Sequence, residues 1–112
     1  MIVAVVTHES TETLGLAVGA AAFALIKASW VVLLVEDETG APLKLSARNQ
    51  LRGTVQSVKR GAVNAEVSLL LDGGAVITAV VTNQSVDTLG LVEGGTAVAV
   101  FKASSVILGV KD

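Results

Sequence analysis

The sequence predicts an all-β protein, made of short antiparallel strands that close into small barrels, with one short helix in each repeated unit. Three observations carry this expectation. Valine-rich runs recur between glycine-bearing turns in a 112-residue chain with 11 Gly and a single Pro, and β-branched residues suit strands joined by Gly turns better than long helices. Hydrophobic residues make up 52% and charged residues only 16%, the composition of a packed chain and not a disordered one. Finally, residues 7 to 16 read "THESTETLGL" and residues 82 to 91 read "TNQSVDTLGL", an internal repeat that marks a modular architecture.

The repeat extends beyond that idiom. Residues 2 to 37 align with residues 77 to 112 and are identical at 20 of 36 positions. The intervening residues, 38 to 75, have no counterpart. The order is therefore a repeated half, a unique half, and the repeated half again, about one and a half units per chain. Residues 1 to 37 read as the second half of one unit, residues 38 to 44 as a linker and residues 45 to 112 as a complete unit. The stretch "EDETGAPLK" at 36 to 44, with charge, Gly and Pro, is the natural connector.

Each element follows from pattern. Residues 2 to 7 and 76 to 82 are Val-rich and read as strands. Thr7 and Thr82 can each cap a short helix that ends at Gly15 or Gly90. Residues 20 to 27 and 96 to 102 form a second strand pair, and residues 31 to 35 and 106 to 110 a third. In the unique half, residues 51 to 58 and 62 to 71 read as strands about a turn at Lys59, Arg60 and Gly61. Asp72, Gly73 and Gly74 turn the chain into the second copy. Five short strands and one helical turn per unit indicate an OB-type barrel.

Composition also excludes function classes. The chain has no Cys, which removes disulfides, thiolate metal sites and thiol nucleophiles. His8 is the single histidine, so one chain offers no His-based metal site or Ser-His-Asp triad; its counterpart is Asn83, and it reads as a surface loop residue. With a net charge of -2 and a pI of about 5.3, no global field attracts nucleic acid. Two Phe, one Trp and no Tyr leave little with which to stack bases, so an OB-type nucleic-acid binder is disfavoured. Residues 16 to 35, "LAVGAAAFALIKASWVVLLV", have the length of a membrane span. Lys27, Gly19 and Ser29 interrupt that stretch, and its counterpart carries Glu93 and Lys102, so it reads as two buried strands and a turn. No basic segment of a secretory signal precedes the first apolar run. The expected location is cytoplasmic.

Against the apolar background, a set of polar residues recurs. Thr7, Ser10, Lys27 and Ser29 in the first copy return as Thr82, Ser85, Lys102 and Ser104, and the unique half contributes Ser46, Ala47, Arg48 and Asn49. No carboxylate pair recurs at a spacing suited to acid–base work, so catalysis is not expected. What the set shares is donation: hydroxyls, ammonium groups, a guanidinium and backbone N–H groups. Converging donors bind an anion. Each feature also has a plainer reading. Thr7 with Ser10, or Thr82 with Ser85, is a helix N-cap, and Lys27 is an edge-strand residue that blocks aggregation. Their joint recurrence favours the anion.

The residues "SARNQLRGTV" at 46 to 55, "GAVNAEV" at 61 to 67, the T-x-x-S followed by Leu-Gly-Leu, and "KAS" with "VILGV" at the C-terminus together resemble the Mop or molbindin domain, also called TOBE. The resemblance covers residues 45 to 112 as a whole unit and residues 1 to 37 as half of another. It implies an OB-like fold and the binding of molybdate or tungstate at interfaces between units, for intracellular molybdenum storage and homeostasis. The alternative it implies is a ligand-sensing and dimerisation module of a molybdate-dependent regulator or transporter ATPase. No covalent cofactor or metal ligand set is implied.

By the same resemblance, Ser46, Ala47, Arg48 and Asn49 face one side of the oxyanion. Thr82, Ser85, Lys102, Ala103 and Ser104 would come from a neighbouring unit, as would Thr7, Ser10, Lys27, Ala28 and Ser29 in the first copy. The turn Gly61, Ala62, Val63, Asn64 is a candidate for a second oxyanion site near a symmetry axis. Members of the family often carry Pro where Ser29 and Ser104 stand here. The missing first unique half takes one S-A-R-N with it, and the unpaired half-unit is expected to complete itself against another chain in a homo-oligomer, a trimer or hexamer-like assembly, with neither nucleic acid nor membrane as partner. A tetrahedral dianion ringed by donors is favoured over phosphate, which is partly protonated near neutral pH and wants an acceptor.

Overall fold

The computed structural model describes residues 2, 4, 18, 19, 23–36 and 44–110. Seven strands and one α-helix lie within them: β1 (Phe23–Leu25), β2 (Val32–Leu34), β3 (Asn49–Arg60), β4 (Asn64–Leu71), β5 (Val76–Thr82), α1 (Asn83–Leu89), β6 (Thr96–Phe101) and β7 (Ile107–Gly109). Two 3-10 turns, Ala28–Trp30 and Ala103–Ser105, interrupt the strands of the two copies at equivalent positions. The all-β expectation is met, and β5 has the predicted bounds. The turn expected at Lys59 to Gly61 lies later, because β3 runs on to Arg60 and the chain reverses over Gly61 to Val63, with the Gly61 N–H donating to the Asn64 carbonyl at 2.7 Å. Apart from residues 2 and 4, the strand and cap predicted over residues 2 to 16, and most of the linker, lie outside the described residues.

All pairing is antiparallel. Five strands form one sheet in the order β2-β6-β3-β4-β5, and β1 pairs with β7 in a second, two-stranded sheet. The outer strands of the large sheet, β2 and β5, approach one another, so the sheet curls as a barrel does. Alternation sets the interior: in β4, Ala65, Val67 and Leu69 point inward, and Val67 and Leu69 are 0% exposed. They pack with Val55, Ala79, Val86, Leu91, Ala97, Ala99, Val31 and Leu33 in one apolar cluster. A register shift between Val55 and Ser57 lets β3 bend away from β6 while still paired with β4, as bulges do. Gly53 is required at this crowded stretch, since a Cβ there would stand 2.8 Å from the Leu70 carbonyl oxygen.

The two copies meet each other inside one chain. In β1 and β7, Phe23 pairs with Gly109 and Leu25 with Ile107; in β2 and β6, Val32 pairs with Val100 and Leu34 with Val98. Adding the repeat offset of 75 residues to one ladder reproduces the other, so the copies are related by an internal two-fold and each lends its last strand to its sister. The expectation that residues 1 to 37 find their partner in another chain is corrected to this extent: β1 and β2 pair with β7 and β6 of the same chain. Backbone ladders do not distinguish the two sources, and a sister copy tethered on the same chain has the higher effective concentration.

The symmetry breaks where the unique half is used only once. β3 pairs with β6 from Asn49–Phe101 to Thr54–Thr96, and in the described residues β1 has no such neighbour. Leu25 is accordingly 55% exposed, whereas its repeat counterpart Val100 is 6% exposed.

Candidate functional site

The recurring donors of the unique half and the second copy fall into two clusters at opposite ends of β3. The first is at its start. Asn49 pairs with Phe101 across β3 and β6, which sets Ser46, Ala47 and Arg48 alongside the 3-10 turn that follows β6, where Lys102, Ala103 and Ser104 lie. Asn49 and Ala103 are buried at 1% and 4% exposure, while Ser46, Arg48, Lys102 and Ser104 are exposed. The backbone is thus anchored by its small or neutral members, and the charged ones face out. The Gln50 amide donates to the Ala47 carbonyl at 3.2 Å, which holds the S-A-R-N segment against the strand it leads into.

The β1–β7 and β2–β6 ladders flank two equivalent turns, Lys27 to Trp30 in the first copy and Lys102 to Ser105 in the second: Leu25 pairs with Ile107 on one side and Val32 with Val100 on the other. The turns share one backbone shape: Trp30 N–H donates to the Lys27 carbonyl and Ser105 N–H to the Lys102 carbonyl, both at 2.9 Å. The first turn also packs against β5. Lys27 extends over the Trp30 ring, its Nζ 5.8 Å from the centroid. Among the described residues, neither Lys27, Arg48 nor Lys102 has an ion-pair partner, whereas Arg52 pairs with Glu36 and Arg60 with Asp87. The Arg52 guanidinium is held above its ordinary pKa, first by its hydrogen bonds to Glu36 and then by that carboxylate's charge. Arg48 and Lys102, set side by side by the register of β3 and β6 and without an ion-pair partner among the described residues, repel one another and attract an anion.

The second cluster is at the far end of β3. Thr82 is the N-cap of α1: its Oγ1 accepts from the Ser85 N–H at 3.0 Å and lies 2.8 Å from Ser85 Oγ. One hydroxyl proton serves the contact between the two side chains, which leaves one free to donate outward. Gly90, at φ 66° and ψ 38°, closes the helix in the left-handed conformation that Gly adopts without a Cβ penalty. Asn64 pairs with Thr82 across β4 and β5. Asn83 then locks the Gly61 to Asn64 turn onto the helix: its N–H donates to the Val63 carbonyl and its Nδ2 to the Gly61 carbonyl, each at 2.9 Å. Arg60 and Asp87, 2.7 Å apart, span the same gap.

Of the residues singled out in the sequence, the strand register therefore sets Ser46, Ala47, Arg48 and Asn49 beside Lys102, Ala103 and Ser104, and it places Lys27, Ala28 and Ser29 in the equivalent turn of the first copy, which packs against β5. It gathers Thr82 and Ser85 with Gly61, Ala62, Val63 and Asn64 elsewhere, and the strand register of one chain does not bring the two clusters together. Thr7 and Ser10 lie outside the described residues. Sequence reasoning passed over Trp30, whose signal was present: it follows "KAS" where the second copy has Ser105.

Comparison with known proteins agrees with this architecture. The chain is 49% identical over 110 residues to the molybdenum transport protein ModE of Herbaspirillum seropedicae, covering 98% of the chain and 40% of that protein. It is 48% identical over 105 residues to the molybdenum-pterin-binding protein MopA of Rhodobacter capsulatus, covering 94% and 38%. The chain thus spans about two fifths of the length of these curated relatives. Among solved structures, the cytoplasmic molybdate-binding protein ModG in a molybdate-bound form is 54% identical with a TM-score of 0.88, over 96% of this chain and 74% of that one. MopII of Clostridium pasteurianum is 47% identical with a TM-score of 0.51, over 54% and 90%. The TOBE domain family matches residues 1–33 and 45–108, and on this match the chain belongs to the TOBE domain family.

Proposed function

We propose that the chain binds molybdate or tungstate, without catalysis, at its two lysine turns, and serves intracellular molybdenum storage and homeostasis in the cytoplasm. The observation that carries this reading is the register that sets Ser46 and Arg48 beside Lys102, with no ion-pair partner for either cation among the described residues. Support comes from relatives whose names specify molybdenum and from the molybdate-bound structural neighbour. Arg48 supplies a planar fork of donors, Lys102 and Lys27 point charges, Ser46, Ser29 and Ser104 hydroxyls, and Ala47, Asn49, Ala28 and Ala103 the small, anchored backbone between them. A dianion with no proton to donate is matched by a ring of donors.

The Thr82–Ser85 cap lies at the other end of β3, so on this reading it meets an anion brought by another copy, and the same holds for the Gly61 to Asn64 turn as a second site. A homo-oligomer, trimeric or hexamer-like, follows. Titration calorimetry with molybdate, tungstate, sulfate and phosphate tests the binding: the first two should bind selectively, and equal binding of all four would overturn the reading. Arg48→Ala or Lys102→Met should weaken molybdate binding by about ten-fold or more while leaving the urea midpoint in place. Light scattering tests the assembly, since a monomer at micromolar concentration, with and without molybdate, would refute it.

A further inference from the structure

The two lysine turns about the internal two-fold have the same backbone but not the same side chains. Lys102 is followed three residues later by Ser105, too short to cover an ammonium. Lys27 is followed by Trp30, 45% exposed, with the ammonium 5.8 Å from its ring centroid. Both turns are fastened by the same hydrogen bond from the fourth residue to the lysine carbonyl, so the backbone of the first turn sets Trp30 within reach of Lys27. An ammonium over an aromatic face directs part of its positive charge into the ring. An anion must then compete with the ring for Lys27, whereas among the described residues Lys102 has no such ring contact.

We infer that Trp30 sets the affinity of the first-copy turn: by holding the Lys27 ammonium over its ring it ranks this turn below the Lys102 turn for an oxyanion, so that one chain offers two unequal positions. The inference rests on the oxyanion reading above and deepens it. Trp30 is a positioning residue here and is given no direct contact with the anion.

The test uses the full chain and molybdate. With the second turn disabled by Lys102→Met, molybdate affinity is measured by calorimetry with and without Trp30→Ser, the residue of the second copy. Removal of the indole should tighten binding by about two- to five-fold, the range of an exposed cation–π contact. Unchanged or weaker binding in the double variant would overturn the inference while leaving the binding reading intact. If no variant and not even the unmodified chain binds molybdate, the binding reading fails and this ranking with it. A ligand-free arm tests the contact by itself: as Trp30 is the single Trp, Lys27→Met should shift the emission of the chain, and an unmoved spectrum would show that the ammonium and the ring do not meet in solution.

Discussion

Replacement of Gly53 by Ala tests whether β3 is held as tightly as its neighbours imply. The added Cβ would lie 2.8 Å from the Leu70 carbonyl oxygen, 3.0 Å from Leu71 Cδ2 and 3.2 Å from Leu69 Cβ. The two side-chain atoms can yield by small torsions. The carbonyl cannot, because β4 is paired on both sides, with β3 and with β5, and Gly53 itself lies between Leu71 of β4 and Ala97 of β6. Overpacking of this kind costs about 1–3 kcal/mol, and the reduced freedom of the unfolded chain returns about 0.4–1 kcal/mol. A net loss of roughly 1–2 kcal/mol follows. With a urea slope of about 1–3 kcal/mol per molar, the unfolding midpoint of Gly53→Ala should fall by roughly 0.5–1 M at unchanged slope. A midpoint equal to or above that of the unmodified protein would refute the claim that β3 and β4 approach too closely for any side chain at this position.

Other substitutions probe other parts of the same structure. Leu69, 0% exposed at the centre of the apolar cluster, should cost about 2–5 kcal/mol on change to Ala, read from the urea midpoint. Thr82→Ala removes the acceptor for the Ser85 N–H and should cost about 1 kcal/mol, with Thr82→Ser recovering most of it; equal stability of the two variants would deny Thr82 its capping role. Arg52, whose pKa is raised by Glu36, contributes fully below its ordinary pKa and loses that contribution only as pH rises through the raised value. The urea-midpoint difference between Arg52→Gln and the unmodified chain should therefore be the same at about pH 6 and about pH 9. It should shrink in about 1 M salt, which screens an exposed pair.

Much of this molecule was legible in the sequence because its signals are local. The helix over Asn83–Leu89 follows from Thr82 as a cap and Gly90 at the stop, two residues whose effects act within a turn or two of chain. Strand β5 follows from an unbroken Val-rich run, and the reversal at Asp72, Gly73 and Gly74 from glycines with φ of 93° and 95° at the last two. The 3-10 turns after Lys27 and Lys102 left no comparable mark, since Ala and Ser state no strong preference at such a position. The donor clusters were legible as a list of residue types, recurrent against an apolar background, but the list did not contain their partition.

That partition, and the partner of each strand, belong to the tertiary structure. Composition and repetition by themselves determined that the chain is all-β, that one half is used twice, and that its recurring polar residues are donors. Which edge receives β1 and β2 was not encoded locally, because a β-ladder is made of backbone groups that every residue carries, and its register is chosen by which side chains then share a buried face. Closing the chain on itself pairs β2 with β6 and β1 with β7, gives the two lysine turns equivalent places in the fold, and leaves the Lys102 turn at the opposite end of β3 from the Thr82–Ser85 cap. Only that closure left β1, among the described residues, without the strand that covers β6.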